Sequence, residues 1–172
     1  MQEFNEAIFK TKVDNIFVKV YTSIMKQDLS DVMHFIGESL EKELSNIINN
    51  LKKENKRQIY DELNVKDTKI INRKITEDKE VIEVELISRY MDYIIDNETG
   101  NTISGDDTRR VERRNILIFE KKLNTRNISI VRKCPGCGAS ISVNTSGKCA
   151  YCGAIFNQEE YDYILVKLNE NI

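Results

Sequence analysis

Two cysteine pairs carry the clearest chemistry in this chain. Cys134-Pro135-Gly136-Cys137-Gly138 is followed by ten residues and then by Cys149-Ala150-Tyr151-Cys152-Gly153. Zinc prefers four soft ligands in a tetrahedron, and two CxxC turns supply two thiolates each. Gly138 and Gly153 directly follow the second cysteine of each pair. A knuckle turn needs a left-handed residue there, so that backbone N–H groups can point at the sulfurs. The only proline of the chain lies inside the first knuckle, where its restricted φ suits a turn. Lys133 and Lys148 immediately precede the first cysteine of each pair, with Arg132 close by. They would offset the −2 formal charge of a four-thiolate zinc centre and favour the thiolate form. Four thiolates leave no open coordination position, so the expectation is one structural Zn2+ held by Cys134, Cys137, Cys149 and Cys152. Such a metal contributes about 10 kcal/mol to folding a segment too small for its own core. Two disulfides or a redox CxxC pair are the competing readings.

A second concentration of chemistry is basic. From Arg109 to Lys133 there are nine Lys/Arg against two Glu, a net of +7, whereas residues 1–108 carry a net of −7. Arg109, Arg110, Arg113 and Arg114 form its densest part. A basic stripe can meet phosphate or an anionic lipid headgroup, or it can pair with the acids of neighbouring strands. At strand spacing Arg109 and Arg113 share one face and Arg110 and Arg114 the other, which argues against a focused anion pocket. Nucleic-acid binding is disfavoured because no exposed aromatics are interleaved with the basic residues. A third group is Tyr90, Asp92, Tyr93 and Asp96, where a buried tyrosine and an aspartate could serve a pocket enzyme. Tyr93 falls on the opposite parity, and Asp96 begins a turn. His34, the only histidine, has no serine or cysteine nucleophile patterned with it.

The bulk properties bound what these groups can belong to. A chain of 172 residues suffices for one domain with a core and a small appendage. Hydrophobic residues make up 40% and charged residues 31%, with one proline, which excludes a long disordered region. The net charge of −2 names no partner. No run approaches the roughly 20 apolar residues that span a bilayer. The acidic, polar start, Met1 to Glu6, lacks a signal-peptide pattern, so a reducing cytoplasm and metal-bound thiolates are expected.

The positioning elements follow from periodicity. Val13, Ile16, Phe17, Val20 and Ile24 lie on one face of a first helix. After a break at Gln27-Asp28, Asp28 reads as the N-cap of a second helix carrying Leu29, Val32, Ile36, Leu40, Leu44, Ile47, Ile48 and Leu51. Near residue 60 the period changes to that of strands. Val65, Ile70, Ile71 and Ile75 mark the first strand and Glu77-Asp78-Lys79 a turn. Glu80 to Asp96 is a long second strand whose apolar parity switches after Leu86, which predicts a kink near Ile87–Tyr90 and a sheet bent round a cavity. Asn97 to Asn101 is a hairpin turn with Gly100 at positive φ. Thr108 to Leu123 is a third strand, interior because Ile116-Leu117-Ile118-Phe119 is apolar on both faces. Ile128, Ile130 and Arg132 suggest a fourth strand leading into Cys134. Ala139 to Val143 alternates as a short strand, and Gln158–Leu168 has Tyr161, Leu165 and Leu168 at helical spacing.

Taken with Asp28-Leu29 through Leu40, the stretches Asp61-Glu62-Leu63-Asn64-Val65, Asp92-Tyr93-Ile94-Ile95-Asp96, Thr99-Gly100, Gly105-Asp106 and Arg113–Phe119 resemble the Tim44-like domain over about residues 1–155. The segments Cys134-Pro135-Gly136-Cys137-Gly138-Ala139 and Ser146-Gly147-Lys148-Cys149-Ala150-Tyr151-Cys152-Gly153 resemble the C-terminal ribbon of some bacterial relatives. The resemblance implies the cone-shaped fold of the nuclear-transport-factor-two-like superfamily, membrane association or protein docking, and no catalysis. It offers no site residues to carry over.

The expected molecule is therefore an α+β protein, with N-terminal helices packed on a curved, cone-shaped antiparallel sheet and a small four-cysteine zinc ribbon after it. Its expected divisions are a Tim44-like domain at 1–131, the ribbon at 132–157 and a C-terminal helical segment at 158–172. The expected function is a non-enzymatic binding or scaffold domain, for protein docking or for small-ligand or lipid association. The alternatives are an anion-directed module using Arg109–Lys133 and a pocket enzyme using Tyr90 and Asp92. Expected partners are another protein or a second copy of the chain, with peripheral association at the cytoplasmic side of a membrane.

Overall fold

The computed structural model describes residues 4–123, 131–133, 140–142 and 163–171. Helix α1 spans Glu6–Lys26. The Asn5 side chain caps it by accepting from the Ile8 amide at 3.0 Å, and Glu6 and Lys26 complement the helix dipole at its two ends. Its C-terminus closes through the left-handed Gln27, with the Gln27 amide donating to Ile24 O and the Asp28 amide to Ser23 O, a Schellman arrangement. A glutamine occupies this position because its side-chain amide reaches the Lys56 carbonyl at 2.8 Å. The predicted face of α1 is the buried one: Val13, Ile16, Phe17, Val20 and Ile24 all lie in the core.

Helix α2 spans Glu38–Lys53 and starts after Gly37, not at Asp28. Residues 28–35 form turns, in which the Val32 amide donates to Leu29 O and the Phe35 amide to Val32 O. Asp28 accepts from the Ser30 amide, a local turn and not a helix cap. Leu40, Leu44 and Ile48 face the core, while Ile47 is exposed.

Both helices pack on an antiparallel sheet. Its strands are β1 (Lys56–Ile75), β2 (Lys79–Asp96), β3 (Thr102–Gly105), β4 (Val111–Lys122) and β7 (Ile164–Asn171), in the order β1-β2-β4-β7, with β3 paired to the end of β2. A separate two-stranded sheet joins β5 (Val131–Lys133) to β6 (Ser140–Ser142). Helix α1 runs along β1. Arg73 lies over the Phe4 ring at 4.2 Å, Thr68 donates to Asp14, and the Arg57 guanidinium donates to Met25 O at 2.7 Å.

The sheet corrects four expectations. First, β2 keeps one parity through Tyr90. Ile82, Val84, Leu86, Ser88 and Tyr90 are all buried, and the pairing with β4 runs unbroken from Lys79↔Lys122 to Tyr90↔Val111. The irregularity lies on the neighbouring strand, where β1 gains a residue on β2 between Asp61 and Asn64, between Val65 and Asp67, and between Ile70 and Asn72. Such bulges bend the strand that holds them and tighten its twist. Beyond Tyr90 β2 exchanges β4 for the short β3, so Met91, Tyr93 and Ile95 are half-buried. Second, the region read as one strand from Thr108 is preceded by β3 and begins at Val111; Gly100 does have the positive φ expected of the hairpin turn. Third, β4 is interior as predicted, but its second neighbour is β7 and not the segment leading to Cys134. Fourth, Ile164–Asn171 is strand and not part of a C-terminal helix; residues 158–162 lie outside the described residues.

Candidate functional site

The four arginines at the start of β4 do not converge. Arg110 turns to β1, where its guanidinium donates to the Glu62 carbonyl at 2.6 Å and lies 3.4 Å from the Glu62 carboxylate. Glu62 has φ +55 in the first bulge of β1, so this contact secures a strained residue. Arg114 is on the outer sheet face and bonds Glu85 of β2 at 2.8 Å. Arg113 sits opposite Ser88, on the inner face. Arg109 is exposed in the loop before β4. Two further cross-strand pairs run the other way, from bases of β1 and β2 to acids of β4: Lys66 bonds Glu112 at 2.8 Å and Lys79 bonds Glu120 at 3.1 Å. The charge asymmetry of the sequence is thus in part an internal matching between β4 and the acids of β1 and β2.

Tyr90 and Asp92 share a strand face but have different surroundings. The Tyr90 side chain is fully buried in an aromatic cluster, with ring centroids 5.7 Å from Tyr21 and 5.2 Å from Tyr60, and Tyr21 lies 4.4 Å from Tyr60. Asp92 accepts from the Gln58 side-chain amide at 2.7 Å, and its carbonyl accepts from the Asp106 amide at 3.0 Å. Tyr93, on the other parity as predicted, donates to Asp61 at 3.0 Å; partial burial and then that carboxylate push its phenol up. His34 is half-buried in the turns before α2, and loss of solvent pulls its imidazole pKa down.

A polar cluster that sequence reasoning missed lies at the centre of the inner face. Ser88 donates to Asn115 Oδ1 at 2.8 Å, and Asn115 Nδ2 donates to the Tyr21 hydroxyl at 3.2 Å. The available signal was an asparagine directly before the apolar run Ile116–Phe119, on the inward parity of Leu117 and Phe119. This cluster ties α1 to β2 and β4.

The four cysteines lie outside the described residues, but the strands on either side are described. Lys133 pairs with Ser140, so β5 and β6 are the arms of a hairpin whose connection, residues 134–139, contains the first cysteine pair. The whole stretch 123–163 joins two adjacent antiparallel strands, since Glu120 pairs with Ile164. The cysteine-bearing segment is therefore an insertion between neighbours in one sheet and not a tail. Among the described residues no group of three or more His, Cys, Asp or Glu could hold a metal ion, and no helix is long and apolar enough to cross a membrane.

No curated protein matches the chain. The family model of the Tim44-like domain matches residues 2–129, which covers both helices and strands β1 to β4 and ends before β7. The chain belongs to the Tim44-like domain family.

Proposed function

We propose that this chain is a non-enzymatic docking module whose α+β body carries a structural zinc ribbon as an insertion between β4 and β7. The carrying observation is the β5–β6 hairpin, in which the Lys133↔Ser140 pair closes a short connection containing Cys134 and Cys137. A CxxC turn supplies two of the four thiolates of a tetrahedral zinc site. Cys149 and Cys152 would supply the other half. When bound, zinc supplies a crosslink and no open position for substrate.

The docking part of the reading is supported by family membership and by the fate of the catalytic candidates. Tyr90 is buried among aromatic rings, and Asp92 is held by Gln58. An acid/base pair needs reach to a substrate. Association with another protein or with a membrane surface suits a body without that reach. The anion-directed reading has less support, because Glu62 and Glu85 hold Arg110 and Arg114 and the Asp106 carboxylate lies close to Arg109.

Metal analysis tests the proposal. Protein purified without added zinc should carry about one equivalent, with its four thiols protected from alkylation until a chelator is added. Much less than one equivalent, with four freely alkylated thiols, would sink the zinc centre. Sedimentation with anionic and with neutral vesicles at low salt separates the docking readings. Binding to anionic vesicles that weakens steeply with salt would restore the arginine-directed alternative.

A further inference from the structure

We propose that the solvent-facing side of α1 is a docking surface for an acidic amphipathic helix of another protein. The proposal rests on the docking reading above and names its surface and the kind of partner. Ile8, Thr11, Asn15, Val18 and Thr22 follow one another at alternating steps of three and four residues. That is the spacing of a seam between two helices. It lies across α1 from Val13, Ile16, Phe17, Val20 and Ile24, the face that the core already uses.

Ile8 is 69% exposed, the highest value for a large hydrophobic among the described residues, and Val18 is 38% exposed. Thr11 and Asn15 are exposed and Thr22 is half-buried. The Thr11 hydroxyl donates to Ala7 O at 3.1 Å, which leaves its methyl for a partner. Helix α1 carries six charged residues, Glu6, Lys10, Lys12, Asp14, Lys19 and Lys26, and none falls in the seam. A helix face that meets only water normally holds the charges. The short side chains of Thr11 and Thr22 let a second helix come close. Asn15, in the middle of the row, lowers the stability of such a pair but fixes its register.

Charge selects the partner. Lys12, Lys19 and Lys26 recur every seven residues along one flank of the seam. On the other flank Asp14 accepts from Thr68, and Lys10 pairs with Glu6 at 3.3 Å. The lysine flank is complementary to a row of Asp or Glu beside the apolar seam of a partner helix. A second copy of α1 fits less well. Antiparallel pairing sets the two lysine flanks against each other, and parallel pairing relies on Asp14, which Thr68 already engages. An anionic lipid surface would also meet the lysines. However, only Ile8 and Val18 would enter it as aliphatic side chains, and the Asn15 amide would enter with them.

The test is fluorescence anisotropy of two labelled synthetic helical peptides with the full chain at low salt. Both peptides carry leucine and alanine along their seam; one has glutamate on its flanks and the other lysine. The glutamate peptide should bind about tenfold more tightly or better, because each attractive flank contact becomes a repulsive one in the other peptide. Val18→Glu should abolish that binding by placing a carboxylate in the seam. Lys19→Glu combined with Lys26→Glu should reverse the preference, so that the lysine peptide binds better. Urea midpoints establish that the variants fold, and if Val18→Glu does not, the charge-reversed variant decides. Equal binding of the two peptides, binding unchanged in Val18→Glu, or no binding of either would overturn the proposal. So would self-association that Val18→Glu abolishes, which assigns the face to a second copy. Binding to phosphatidylglycerol vesicles that Val18→Glu abolishes would overturn it too, and assigns the face to lipid. These last two results leave the docking reading standing. Vesicle binding or self-association that Val18→Glu leaves unchanged, with no peptide bound, would move docking to another surface and remove only α1.

Discussion

Ser88 and Asn115 meet diagonally across β2 and β4 with no solvent exposure, and the serine hydroxyl donates to the asparagine at 2.8 Å. Asn115 passes the interaction on to the Tyr21 hydroxyl of α1. Removing one member of a buried pair costs the desolvation of the group left behind, about 1–3 kcal/mol. Asn115→Ala should therefore destabilise by about 2–3 kcal/mol, and Ser88→Ala by about 1–2 kcal/mol. The double variant should cost less than the sum, because both substitutions break the same bond. Urea midpoints at unchanged slope measure all three. Strict additivity would show that the two residues do not act together.

Arg73 and Glu80 make a different kind of pair. The Glu80 side chain is 6% exposed while Arg73 is 37% exposed, and the guanidinium Nε lies 2.6 Å from the carboxylate. Loss of Arg73 strands a buried charge. Arg114 and Glu85 are 50% and 26% exposed, so solvent screens that pair more strongly. Arg73→Ala should cost about 1–3 kcal/mol, after discounting the buried-pair figure for the exposure of the arginine. Arg114→Ala should cost under about 1 kcal/mol. Arg73→Lys should not rescue fully, because the planar guanidinium also covers the Phe4 ring at 4.2 Å. Thermal and urea unfolding of the three variants rank them. Equal costs at the two arginines would remove the distinction.

The legible parts of this fold were those where burial follows one simple period. Helix α1 and the first half of β2 each bury a single face, and their apolar positions show it. The turns at 28–35 defeat that logic because Leu29 and Val32 keep helical spacing while the chain closes successive four-residue turns. In β2 the inward parity continues through Ser88, a polar residue whose partner comes from another strand, so an apolar count reads it as a switch of face. Strand β3 is four exposed residues and shows no alternation. In β7 the register with β4 shifts between Ile118 and Phe119, so Ile164, Leu165 and Leu168 break strand parity and imitate a helix. The cysteine pairs were visible because their spacing is local. That the segment holding them is an insertion depends on a strand pairing between residues 120 and 164, which no local pattern contains.

Gly105 and Gly100 both have positive φ, +83 and +75, but their surroundings differ. A Cβ at Gly100 would meet nothing within 4 Å, so Gly100→Ala adds only the left-handed penalty of about 1 kcal/mol. At Gly105 a Cβ would collide with the backbone of Asp92 and Tyr93, which cannot move without breaking the β2–β3 pairing. Gly105→Ala should cost about 2–3 kcal/mol and release β3. Gly100→Asn should be close to neutral, since asparagine tolerates the left-handed region. Denaturant unfolding, with amide exchange at Tyr93 as a local probe, checks the series. Equal losses at the two glycines would mean that the Asp92–Tyr93 backbone yields.

Asp14 gives the fold a pH dependence whose sign can be stated. Burial against β1 raises its carboxyl above the ordinary value of 3.8, opposed by the hydrogen bond from Thr68 and by Lys10, and aided by Asp67. The folded chain therefore holds the Asp14 proton more tightly than the unfolded chain. The resulting stabilisation is fully present below pH 3.8 and is lost as pH rises through the raised value, so at neutral pH the fold carries a desolvated charge. Asp14→Asn keeps an oxygen for the Thr68 hydroxyl and removes that charge. The variant should be more stable than the parent at neutral pH, and the difference should shrink toward zero on acidification, as the parent carboxyl becomes neutral itself. Thr68→Val should act oppositely, withdrawing the bond that favours the charged form and costing most at neutral pH. Urea unfolding at neutral and acidic pH measures both. A stability gap between Asp14→Asn and its parent that stays the same across that range would show that the fold does not penalise the Asp14 charge.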